Sequence, residues 1–355
     1  MNHYPSNVKE KLNSIILSMA EHHWLFSKNP GHDFTRQHLG KLSFYDTMRL
    51  IISMGKGSTN DEIMDYFDLD PDLIPSQSAF CQRRRQISLS AFEYLFSEFS
   101  SSFPSTTDKF KDHCILACDG CHVVYATNSD IIEDYNKPRL IDYKGYNHMH
   151  LNGFVDVISK AFLDVVIQPR QQPDEREALH SMLDHFTPDD PQKYIITADR
   201  GYESYDLLFH CELKNLGYVF RVKSPSSPKS ILSYYASEFP DDLEEFDVTI
   251  KRFFTDKATN IMKSQSDVYR YINPSKNTPH FYELLRKNHS HLYFLQFRVV
   301  KIKTAENTYE YLITNLPFSF TLDDIQECYH WRWGIEISFR YLKHAAGLLY
   351  FHSKQ

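Results

Sequence analysis

The sequence has no run approaching 18 apolar residues, so hydropathy supports no membrane-spanning helix. Its first residues, MNHYPSNVKEKLNSII, are too polar for the apolar segment of a signal peptide. The 6 cysteines in 355 residues are too few and too scattered for a disulfide framework, and they read as free thiols in a reducing compartment. An excess of positive charge is also missing: 39 Lys and Arg face 46 Asp and Glu, a net charge of -7. Binding to nucleic acid would therefore depend on a local basic patch and not on the overall field. No internal repeat and no low-complexity tract is visible. What remains is ordinary globular composition, 42% hydrophobic and 24% charged, in a chain long enough for two or three domains. A soluble, intracellular protein is expected.

Residues 1–104 carry apolar side chains at helical spacing, among them Leu12, Ile15, Ile16 and Met19, then Phe44, Met48, Ile51 and Ile52. Within them TNDEIMDYFDL opens at a polar cap and PSQSAFCQRRRQI follows a proline-bounded turn, a pair resembling a helix-turn-helix. Arg83, Arg84 and Arg85 on its second helix are candidates for binding DNA, with a solvated basic face as the plain alternative.

After Pro104 the pattern changes. HCILACDG, NGFVDVIS and AFLDVVIQ read as three strands, PDEREALHSMLDHF as a helix, KYIITADRG as a strand, Tyr205 to Leu216 as a helix and YVFRVK as a strand. Such alternation predicts a mixed α/β sheet. Residues 224–308 lose helical periodicity and read as an inserted β-rich segment. YEYLITNLP returns as a strand, and a last helix begins near Thr321, whose spacing to Asp324 matches a capping box.

That last helix holds Tyr329, Arg332, Glu336 and Lys343. At 100° per residue the four fall inside an arc of roughly 60°, on one helical face. The plain reading is an i,i+4 ion pair on a solvated surface. Two further carboxylates change it: Asp119 ends the apolar run CILACDG and Asp199 ends YIITADRG, each where a sheet delivers side chains to its carboxyl edge. Brought together with Glu336, they would make an oxygen-ligand site for Mg²⁺ or Mn²⁺. Two such ions can activate an attacking hydroxyl and stabilise a leaving 3′-oxygen at phosphorus.

CDG around Asp119, ADRGY around Asp199, the strand YVFRVK, LITNLP and the pattern YxxRWxIExxFxxLK resemble, in order, the landmarks of IS4-type DDE transposases. The resemblance covers roughly residues 75–355. It implies an RNase H-like core (retroviral integrase superfamily) over 105–223 and 309–355, interrupted by the β-rich insertion and preceded by a helical DNA-binding region. It further implies Asp119, Asp199 and Glu336 as the catalytic, metal-binding triad, with Tyr329, Arg332 and Lys343 on phosphates near the cleaved transposon end. Its partners would be double-stranded DNA, as transposon ends and target, and a second copy in a synaptic complex, in the cytoplasm of a bacterial-type cell. The chemistry agrees, since Arg332 offers a planar fork, Lys343 a point charge and Tyr329 a hydroxyl on a stacking ring.

The insertion holds no tryptophan to stack on a displaced base, so any such platform would come from its Tyr or Phe residues. Family members typically continue through further helices, whereas 12 residues follow Lys343 here, so a C-terminally short copy is expected. Arg221 and Lys223 share one face of YVFRVK and could track DNA beside the site. Cys114, Cys118 and Cys121 lack a second ligand pair and read as small core residues instead of a zinc site. His148 and His150 read as polar residues leading into a strand. Cut-and-paste transposition is the leading expectation; a nuclease without strand transfer, or an inactive DNA-binding fragment, are the alternatives.

Overall fold

A computed structural model describes residues 4–35, 42–102, 109–137, 145–240, 242–257, 259–273 and 278–348. The first part is helical: α1 (Tyr4–Glu21), α2 (Phe44–Ser53), α3 (Thr59–Tyr66), α4 (Gln77–Gln86) and α5 (Leu89–Ser101). Serines start the helices. Ser43 and Asp46 form a capping box on α2, Ser58 and Asp61 form another on α3, and Ser76 caps α4. Ile16, Met19, Phe44, Met48, Ala91 and Leu95 bury against one another, and Leu50, Ile63 and Phe80 form a second small core that seats α3 and α4.

The rest of the chain alternates strands and helices around one sheet. In order come β1 (Cys114–Tyr125), β2 (Tyr135–Asn136), β3 (Tyr146–Asp156), β4 (Ala161–Pro169), α6 (Glu175–His185), β5 (Tyr194–Ala198), α7 (Tyr205–Leu213) and β6 (Gly217–Val222). Then follow β7 (Phe246–Thr255), α8 (Asn260–Ser264), β8 (Tyr269–Tyr271), α9 (Pro279–Lys287), β9 (Leu292–Ala305), β10 (Thr308–Thr314), α10 (Leu322–His330) and α11 (Gly334–His344). The 10 strands run in the order β2-β3-β1-β5-β6-β10-β9-β7-β8, with β4 on β3. β1 pairs antiparallel with β3 and parallel with β5, and β5 is parallel to β6.

Strand alternation sorts the core into two layers. Leu116, Cys118, Ile196, Ala198, Tyr218 and Phe220 point to the side covered by α6, α7 and α9. Ile115, Ala117, Ile195 and Val219 point to the other, where Ile325 and Cys328 of α10 and Ile335 and Phe339 of α11 cover them.

Two sequence expectations change. Residues 224–308, expected as a β-rich insertion, carry β7, β8 and β9, which extend the same sheet through β10. That stretch also contains α9, which buries Phe281, Leu284 and Leu285 at helical spacing. Finally, the last helix is not continuous, because a 3-10 turn, Trp331–Trp333, separates α10 from α11. The capping box of Thr321 and Asp324 is present as expected.

Candidate active site

β1 runs on past Asp119 to Tyr125, so this carboxylate lies within a strand and not at its end. Pairing with β5 stops at Ala117, however, while pairing with β3 continues to Tyr125. Asp119 thus emerges just beyond the parallel part of the sheet. It continues the odd-numbered series Ile115, Ala117 and faces α10 and α11. Asp199 follows β5 directly and caps a 3-10 turn by accepting from the Arg200 N–H. Parallel pairing therefore delivers the two aspartates to one end of the sheet.

Glu336 is brought over that end by the way α11 lies on β3. Gly153 is the cross-strand partner of Asp119, and a Cβ there would come within 2.9 Å of Phe162 and 3.2 Å of Phe339. The missing side chain lets Phe339 of α11 rest on the sheet beside Asp119. Glu336 stands one turn earlier on the same helix.

The three carboxylates converge on Arg332. Its Nη1 is 3.3 Å from Asp119 Oδ2, and its Nη2 is 3.4 Å from Glu336 Oε1 and 4.0 Å from Asp199 Oδ2. The residue is 3% exposed, and its Nε has no hydrogen-bond partner among the described residues. The i,i+4 pair with Glu336 is therefore real, and it joins a carboxylate 40% exposed to a buried guanidinium, which needs several acceptors to offset its desolvation. Tyr329 is also buried and donates to Asp199 Oδ1 at 3.3 Å. Burial pushes the Tyr329 hydroxyl up to about 12. Burial likewise raises the Asp119 carboxyl, against the pull of the Gly120 N–H and Arg332, and the negative charges of Glu175 and Glu336 raise it further.

Asp119 and Asp199 open into a cleft of about 740 Å³ that Glu175, Arg176, Arg200, Arg221, Lys223 and Glu310 also line. Arg221 bridges Asp199 at 3.5 Å and Glu310 at 3.0 Å. Lys223, just past β6, pairs with Glu203 at 3.1 Å. Both face the cleft as the alternation required. Lys343 reaches Cys121 on the same face of β1 as Asp119. Arg83, Arg84 and Arg85 stay on the helical part, where Arg83 lies over the Phe34 ring and bonds Gln86, and Arg84 lies over Phe80. Cys118 is buried against the Tyr202 hydroxyl. His148 is buried inside β3 instead of at its edge.

Sequence reasoning missed Glu175, Arg176 and Arg200. Glu175 starts α6 and read as an ordinary acidic first turn; the structure sets its Oε1 3.2 Å from Nε2 of the buried His150. Arg200 stood in plain view beside Asp199 in ADRGY. The donor chemistry, three carboxylates, is that of a hard divalent ion, although here the three gather round the Arg332 guanidinium and not round a common point.

The fold and this cluster define an α/β protein with a carboxylate and arginine site at one end of its sheet. The model described as "Transposase DDE domain" matches residues 110–355, and the chain belongs to that family. No curated protein matches its sequence. Among solved structures it is similar to the piggyBac transposase in a synaptic complex with hairpin DNA, at 10% identity and a TM-score of 0.40, over 95% of this chain and 59% of that one. The chain thus spans about three fifths of that protein's length. No helix among the described residues is long and apolar enough to cross a membrane.

Proposed function

We propose that the protein is a metal-dependent DNA transposase that cuts at the inverted repeats of an IS4-type element and joins the freed ends to target DNA. The observation that carries this reading is the convergence of Asp119, Asp199 and Glu336 on Arg332, in a chain of the DDE domain family. The strand order β4-β3-β1-β5-β6 supports an RNase H-like core. The helical part, 1–104, would be the DNA-binding region, with Arg83, Arg84 and Arg85 on the backbone.

Asp119, Asp199 and Glu336 would hold two Mg²⁺ or Mn²⁺ ions, which supply a Lewis acid at the scissile phosphate and lower the pKa of the attacking hydroxyl. The chain's own residues do the positioning. Arg332 meets the charge of the carboxylates and Tyr329 holds Asp199; both are buried and would have to be uncovered to reach a phosphate. Arg176, Arg200, Arg221 and Lys223 balance the cleft's carboxylates Asp119, Glu175, Asp199 and Glu310, and bound divalent ions would tip that balance to the positive charge a phosphate needs. Lys343 would hold a further phosphate along α11. A second copy would complete the paired-end complex.

The test is cleavage of DNA carrying the element's own ends, with Mg²⁺ as the only divalent ion, followed by assay for joined products. Cleavage with joining is expected. Cleaved but never joined ends would reduce the reading to a nuclease, and no cleavage by the wild type would reject it.

A further inference from the structure

On the opposite layer of the sheet, three helices bring together three imidazoles that the transposition chemistry does not use. His180 of α6, His210 of α7 and His280 of α9 each offer a ring nitrogen, all within 4.8 Å of one another. They are widely separated along the chain, and α9 belongs to the segment between β6 and β10. His180 and His210 are 9% and 1% exposed.

Neighbouring carboxylates orient the rings. His210 Nε2 faces Asp184 Oδ1 at 3.2 Å, whereas His180 Nε2 stands 3.8 Å from Asp206 Oδ2, too far for a hydrogen bond. His280 Nδ1 is held by the same Asp206 oxygen at 2.7 Å. Asp206 is itself fixed, because its other oxygen accepts from the backbone N–H groups of His280 and Phe281. The nitrogens left over are Nδ1 of His180, Nδ1 of His210 and Nε2 of His280. The first two point at each other across 2.9 Å. At that distance one ring carries its proton on Nδ1 and donates to the other, and a cation bound at this edge would take that proton's place. Burial, then repulsion from neighbouring imidazoles, holds His180 down to about 4 and His210 to about 2, so these two rings are neutral and can donate lone pairs.

We propose that His180, His210 and His280 form a transition-metal site, suited to Zn²⁺, that pins α9 to α6 and α7. The donor class is borderline-soft nitrogen, which selects Zn²⁺ and its neighbours over Mg²⁺. Carboxylates behind the rings are the usual support for imidazole ligands, fixing the tautomer and strengthening the donor. His280 lies face-on over the pair, 3.8 Å from His210 and 4.5 Å from His180 between ring centroids. Joining the coordination sphere takes a turn of its ring about χ2, a soft torsion, and exchanges the 2.7 Å bond of Nδ1 to Asp206 for the metal. Side chains of His180 and His280 are 11% and 13% exposed, which leaves an ion an edge to approach by.

The experiment is Zn²⁺ and Co²⁺ titration of the full chain with Mg²⁺ in excess, so that carboxylate sites are already filled. One ion per chain is expected, with the visible d–d absorption of a nitrogen-rich Co²⁺ site and a rise in melting temperature on adding Zn²⁺. His280→Gln should abolish all three. Asp184→Asn, at a side chain 62% exposed, should weaken Zn²⁺ roughly 10–100-fold. Absence of stoichiometric Zn²⁺ binding by the wild type, or equal binding by His280→Gln, overturns the proposal. Neither outcome depends on DNA cleavage, so the result stands apart from the transposase reading.

Discussion

The cleft and the histidine cluster occupy opposite layers of one sheet and solve the same electrostatic problem in opposite ways. In the cleft, three carboxylates gather round one buried guanidinium, and solvent reaches Asp119 and Asp199. In the cluster, burial holds His180 and His210 down and leaves them neutral lone pairs, with Asp184 and Asp206 beside the rings. Donor chemistry follows burial: hard oxygen where water is close, neutral nitrogen where it is not.

The sharpest break of this comparison is removal of cleft charge without change of shape. Asp119→Asn, Asp199→Asn and Glu336→Gln should each lower Mg²⁺-dependent DNA cleavage by at least roughly 10³-fold while leaving the melting temperature within a few degrees. Retained cleavage in any one of them strikes that residue from the set.

Arg332→Ala tests whether the guanidinium balances the carboxylates. Without divalent ions it should cost about 3 kcal/mol in denaturant unfolding, the low end for a buried pair because the carboxylates that lose their cation are partly solvated. Mg²⁺ should restore part of that loss, and a deficit indifferent to Mg²⁺ would mean that Arg332 serves packing alone. Binding to cleaved ends should also weaken and become less sensitive to salt, as with Lys343→Ala.

A smaller effect is expected from Gly153→Ala. The added methyl meets Phe162 and Phe339, so α11 must shift, at about 1–3 kcal/mol. Cleavage should fall further than stability does, because Glu336 rides on α11. The smallest effect concerns the helical part: changing Arg83, Arg84 and Arg85 together to Ala should lower the slope of log affinity against log salt by up to about 0.9 for each phosphate no longer neutralised. An unchanged slope removes α4 from the DNA interface.

Much of the sheet was legible in the residues. Apolar runs such as CILACDG and KYIITADRG mark buried strands, and the Thr321 to Asp324 spacing marks a helix start, because both signals are local. α9 escaped notice although Phe281, Leu284 and Leu285 stand at helical spacing, because so short a helix between alternating segments offers only two turns of that pattern. The 3-10 turn at Trp331–Trp333 escaped because its residues have no strong preference against α-helix. Glu175 was disguised by its second use as a first-turn acid of α6.

The order of elements, the delivery of Asp119 and Asp199 by neighbouring apolar strands and the presence of Tyr329, Arg332 and Glu336 on one helical region were determined by the sequence alone. These depend on period and spacing within a few residues. Only the tertiary structure decided that Arg332 is buried among all three carboxylates, that β7 to β9 continue the same sheet, and that His180, His210 and His280 meet. Such interactions join residues up to 213 positions apart, as Arg332 and Asp119 are. No local pattern encodes them, because they arise from how strand pairing and helix packing stack distant segments.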